Sequence, residues 1–179
     1  MNISNDKLIK YIRKVLKNPK KVEKLPKEIK EEIEDIFHFT VNVYLTPINN
    51  KTHEEICDSF NGEYYSTTTN IDSLVLSAYS QEGLIKKINK HFKKHIKCFT
   101  LTQKDINTDG YFEFNIANYT DKGIKYMEQD LIVQYPNLKE DGIYFRADAQ
   151  VQCTSDIFDY YWNWNDFETI LKKVDELYN

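Results

Sequence analysis

Two stretches of this chain change side-chain character at every step. In residues 37–46, FHFTVNVYLT, the apolar Phe37, Phe39, Val41, Val43 and Leu45 alternate with His38, Thr40, Asn42 and Tyr44. In residues 142–153, GIYFRADAQVQC, the set Ile143, Phe145, Ala147, Ala149, Val151 and Cys153 alternates with Tyr144, Arg146, Asp148, Gln150 and Gln152. A strand sends successive side chains to opposite faces, so each stretch has one apolar and one polar side. Strands of this kind need a cover on one face and tolerate water on the other. The expected fold is therefore α+β: a mainly antiparallel sheet, helices packed on one face and an N-terminal helical pair.

The helices follow from period 3.6. Residues 5–17 carry Leu8, Ile9, Ile12, Val15 and Leu16 at helical spacing, and Asn18-Pro19 ends the run. A second helix begins after Leu25 with Pro26 in its first turn and buries Ile29, Ile33 and Ile36. Ser80 caps a helix over 81–95, residues 121–135 form another that stops at Tyr135-Pro136-Asn137, and a last one runs from about Asp166 to Tyr178. Thr52 and Glu55 read as cap and partner of a short helix over 52–60, closed by Asn61-Gly62. Residues 63–80 read as two strands or as one long strand broken near Asn70-Ile71-Asp72, and Pro47 ends the first strand. At 179 residues the chain is expected to be one domain, with residues 1–35 as the helical pair and 36–179 as the sheet and its covering helices.

No apolar run approaches the roughly 18 residues of a membrane span, and lysines interrupt every apolar stretch at the N-terminus. Three widely spaced cysteines give neither a disulfide framework nor a metal pair, so a cytoplasmic protein without membrane contact is expected. Residues 1–104 carry 18 basic and 13 acidic side chains, whereas 105–179 carry 6 and 15. That second half is suited to a basic partner, and the overall acidity argues against direct nucleic-acid binding.

Residues 104–116, KDINTDGYFEFNI, place Asp105, Asn107, Asp109 and Gly110 at the first, third, fifth and sixth positions of a calcium loop, with Glu113 at the ninth. The stretch resembles the calcium-binding helix-loop-helix family over six positions. Its twelfth position, Ile116, lacks the bidentate carboxylate, and strand-like arms flank it, so a hairpin turning at Asn107–Gly110 is expected in place of a metal or cofactor site. His38-Phe39-Thr40 resembles one half of the paired His-x-Thr signature of the two-histidine phosphoesterases; the resemblance implies His38 as acid or base and Thr40 as a phosphate contact. No second His-x-Thr or His-x-Ser follows. If the two alternating strands are neighbours, Arg146 and Asp148 would join His38, Asn42, Tyr44 and Gln150 in a polar floor able to take a small anion, which gives the enzymatic alternative. His91 and His95 are four apart, but Phe92 stands where a zinc-protease helix has its Glu.

The densest aromatic and acidic stretch is SDIFDYYWNWNDFE, residues 155–168. Tyr160, Tyr161, Trp162 and Trp164 among Asp156, Asp159 and Asp166 suit a surface where rings supply affinity and acids select a basic protein such as a nuclease or nucleic-acid-binding effector. With no P-loop, no GxGxxG and no marked nucleophile, the expectation is a non-catalytic inhibitor. In size and composition the chain resembles immunity proteins against bacterial toxins and phage-encoded inhibitors of host defence.

Overall fold

The polar and apolar faces of the alternating stretches are those of one sheet. A computed structural model describes residues 4–60, 63–94, 96, 99–114, 121–155, 160–163, 172 and 176. Strands β1 (His38–Asn49), β2 (Cys57–Phe60), β3 (Glu63–Ser66), β4 (Thr69–Ser77), β5 (Tyr111–Phe114), β6 (Ile143–Ser155) and β7 (Tyr160–Asn163) are interspersed with helices α1 (Asn5–Lys17), α2 (Lys27–Ile36), α3 (Gln81–Phe92), α4 (Asp121–Gln134) and α5 (Leu138–Asp141). The main sheet has the order β4-β1-β6-β5, all antiparallel, with β7 also paired to β6; β2 and β3 form a separate hairpin. The α+β expectation holds, and the helical pair is in place.

Packing follows the alternation. Phe39, Val41 and Val43 of β1 and Ala149, Val151 and Cys153 of β6 meet Leu8, Ile12 and Val15 of α1, Ile29, Ile33 and Ile36 of α2, and Leu84, Ile88 and Phe92 of α3 in one core. A smaller cluster of Ile56, Leu131 and Leu138 packs with Ile143 and Phe145 at the far end of β6. Ser80 caps α3 as its sequence suggests, its hydroxyl accepting from Gly83 N–H at 3.1 Å.

Three local expectations need correction. Residues 52–60 are not a helix. The Asn49 side chain accepts the N–H groups of Lys51 and Thr52, His53 takes a positive φ of 61°, and the chain reverses so that Glu55 bridges Ile48 and β2 pairs with β3. An Asx turn there outcompetes the Thr52–Glu55 capping pair, and the Asn-Gly between β2 and β3 is a hairpin dipeptide. Second, β1 continues through Pro47. The Pro47 carbonyl accepts from Ile56 N–H at 3.0 Å, so the side of the backbone that lacks a donor faces away from β6 and costs that ladder nothing. Third, residues 63–80 hold two strands, as one of the two readings has it, but they part at residues 67 and 68, whereas Ile71 is an extra residue between the pairs Val43–Asp72 and Tyr44–Asn70, a bulge.

β4 is one edge of the sheet. Its outward-facing row is occupied at two places: the Asp72 carboxylate accepts Ser73 N–H at 2.8 Å, and the Lys87 ammonium donates to the Ser77 carbonyl. Among the described residues no helix is long and apolar enough to cross a membrane.

Candidate functional site

The polar face of the sheet is built by register. β1 and β6 are direct neighbours, so Asn42 stands across from Gln150, Tyr44 from Asp148 and Thr46 from Arg146. β5 adds Tyr111 beside Gln150 and Glu113 beside Asp148. Two carboxylates thus face each other on adjacent strands, an arrangement that destabilises a sheet unless a cation answers it. Asp148 is only 19% exposed, and Arg146 Nε lies 4.0 Å from its Oδ2. The same guanidinium reaches Glu55 through Nη2 at 2.5 Å. Arg146 is therefore shared between two acids, and Glu55, Glu113 and Asp148 outnumber it three to one.

An open cleft of about 540 Å³ lies at this end of the sheet, lined by Asp105, Asn107, Tyr111, Phe112, Glu113, Arg146 and Asp148. Tyr111 and Tyr144 stand 37% and 42% exposed at this end of the sheet. Burial, followed by the nearby Tyr111, holds the Tyr44 phenol above its ordinary value of 10.0. Burial also raises the Asp148 carboxyl; Arg146 opposes that shift, while Glu113 and Glu55 add to it. A raised folded-state value favours the protonated acid in the native protein, so ionised Asp148 is a liability at neutral pH that disappears below the ordinary 3.8. Asp148→Asn should accordingly melt higher than the parent at pH 7, with the advantage shrinking as pH falls and gone below 3.8, as thermal melts across that range would read.

The proposed calcium loop is used otherwise. The Asp105 carboxylate accepts from Thr102 N–H at 2.6 Å and from its hydroxyl at 2.7 Å, which lowers its pKa. Asn107 Oδ1 accepts from Asp109 and Tyr111 N–H at 3.0 and 2.8 Å. Among the described residues no group of three or more His, Cys, Asp or Glu side chains is arranged to hold a metal. The turn exists, with Gly110 at φ +84°, but it is not the hairpin expected, because β5 pairs with β6 and not with the preceding segment. That segment is satisfied instead by α3: Asn89 donates to the Leu101 carbonyl and accepts its N–H, both at 2.8 Å.

The enzymatic set is divided. His38 pairs across from Ser77, and Thr40 from Gln152, with the Thr40 hydroxyl 3.5 Å from that of Thr154. Arg146 lies across from Thr46, eight residues along β1 from His38, or about 27 Å at strand rise. One phosphate does not reach both ends.

Of the aromatic acidic segment, Tyr160, Tyr161 and Trp162 belong to β7, across from Ser155, Thr154 and Cys153 respectively, on the same edge of β6 that β5 occupies further along. Asp156, Asp159, Trp164 and Asp166 lie outside the described residues, as does most of the last helix. Sequence reasoning missed Glu55 and Tyr111. The Asn-Gly pair at 61–62 was the signal for Glu55, since a hairpin there turns the preceding residues into strand. No protein-family model, curated protein or solved structure matches the chain.

Proposed function

We propose that this is a non-catalytic interaction protein that docks a basic protein partner, such as a nuclease or nucleic-acid-binding effector, on the acidic, tyrosine-bearing end of its polar sheet face. It would inhibit that partner in the manner of immunity or anti-defence proteins. The observation that carries the reading is the facing pair Glu113 and Asp148, with Glu55 already drawing on the one guanidinium beside them. An anion would meet a local surplus of negative charge there, whereas an incoming lysine or arginine would relieve it. The aromatic acidic segment 156–168 continues from β6, and β7 holds part of it on the same sheet edge. A cytoplasmic setting, expected from the three widely spaced cysteines, is part of this reading.

The test is affinity capture from host lysate with the parent protein and with Glu113→Lys, Asp159→Ala, Trp162→Ala and Trp164→Ala. A stoichiometric basic partner, weakened by salt and held at least about tenfold less tightly by Glu113→Lys, is the expected result. Undiminished capture by all four folded variants would remove this surface from consideration.

A further inference from the structure

Positive charge in this chain is concentrated at its N-terminus. Residues 1–24 hold eight basic and two acidic side chains, a surplus of six in a chain whose net charge is −4. Helix α1 buries Leu8, Ile9, Ile12 and Val15 against the covered side of the sheet. At 100° per residue its basic side chains, from Lys7 to Lys17, fall within an arc of about 120° on the opposite side. All of them are exposed, as are Lys20, Lys21 and Lys24 in the 3-10 turn Pro19–Lys24 that follows. Among the described residues no carboxylate pairs with Lys7, Lys10, Lys17, Lys20, Lys21 or Lys24. The two acids of the stretch are Asp6, in the first turn, and Glu23, which holds Lys30 at 2.9 Å.

Lysines three or four apart rise by about 4.5–6 Å along the helix axis, a repeat that can meet a phosphate every one or two nucleotides. We infer that α1 and the adjoining 3-10 turn form a docking face for the phosphate backbone of a nucleic acid, bound without regard to sequence. The absence of sequence reading follows from residue type: the stripe is made of lysines, which act as point charges and carry no planar fork for a base edge, apart from Arg13. A lipid surface is the poorer match, because a helix that lies in a membrane interface must present its apolar face to the lipid, and that face is buried in the core. The net acidity that argues against nucleic-acid binding is an average over the whole chain, whereas residues 1–24 carry a surplus of six positive charges. This face is independent of the acidic one.

The full chain is titrated into fluorescein-labelled DNA of about 20 nucleotides, single-stranded and duplex, at about 50 and 200 mM salt. Beside it run the triple variant Lys10→Gln/Lys17→Gln/Lys21→Gln and a control with Lys86→Gln/Lys90→Gln/Lys94→Gln on α3. Six duplex phosphate contacts would weaken binding about 10³-fold over that salt range. The triple variant should bind more weakly, with a salt slope smaller by about three, while the α3 control keeps the parent's affinity. Every replaced lysine is exposed, so circular dichroism melts should match the parent's. No binding at low salt, binding that the triple variant retains, loss in the α3 control, or sedimentation with phosphatidylserine vesicles in place of DNA binding would each overturn the proposal.

Discussion

Gly110→Ala should unfold or severely destabilise the protein, by at least about 3 kcal/mol in urea titration. Two costs combine at this residue. Its φ of +84° lies where a side chain strains the backbone, and an added Cβ would sit inside 3.0 Å of the Val151 carbonyl oxygen, an atom of β6 that has no room to retreat. The Gly110 carbonyl also accepts Val151 N–H at 2.9 Å, so the turn is fastened to the centre of the sheet just before β5 begins. Gly142→Ala is the matched comparison. Its φ is +77°, but the nearest atom to an added Cβ is Asn50 Cβ at 3.5 Å, so it should suffer the conformational cost alone and lose less than Gly110→Ala. Because the Gly110 turn sets β5 beside Asp148, the proposed docking predicts that a Gly110 variant that retains some fold also loses partner capture; equal effects on stability at the two glycines would mean that the close approach to Val151 matters little.

Phe92→Ala should cost about 3–5 kcal/mol, a large part of the 5–15 kcal/mol expected of a whole domain. The ring is fully buried at the last turn of α3. It stacks on Phe99 at 4.9 Å and meets Phe112 and Phe114 edge-on at 5.7 and 5.3 Å. These partners come from the segment after α3 and from β5, so one side chain ties the helix layer to the strand that carries Glu113. Phe92→Leu keeps most of the volume and should cost under about 1.5 kcal/mol. Chemical denaturation of both variants separates the two outcomes; a small loss for Phe92→Ala would show that the aromatic cluster collapses around the gap.

What could be read in advance was whatever a short window contains. β1 and β6 were legible because an alternating pattern is complete within about ten residues. Helices α1, α2 and α3 were legible because their stripes and their Pro or Ser boundaries are local too. The misread segments were decided by atoms elsewhere in the chain. Residues 99–102 have strand composition, yet Asn89 on α3 satisfies the Leu101 backbone from twelve residues away. Thr52 and Glu55 have cap spacing, yet Asn49 had already turned the chain. The candidate site depends most on distance in sequence. Asp148 and Glu113 meet only because β5 pairs with β6, and Arg146 finds Glu55 across 91 residues. The polar floor was conditional on the adjacency of β1 and β6, which no single window reveals.

The guarded margin at β4 bears on how crowded this molecule can become. An open sheet of antiparallel strands invites another molecule to extend it, and each molecule so added would offer the next a fresh margin, the route to runaway fibrils. Here the Ile71 bulge, the Asp72 carboxylate on Ser73 and the Lys87 ammonium on Ser77 break up that margin and leave Val75, 59% exposed, between two occupied positions. An isolated stretch of ladder is too short to fix register or to outweigh the entropy of ordering a second molecule. At β4, therefore, a second copy finds no continuous ladder on which to extend the sheet.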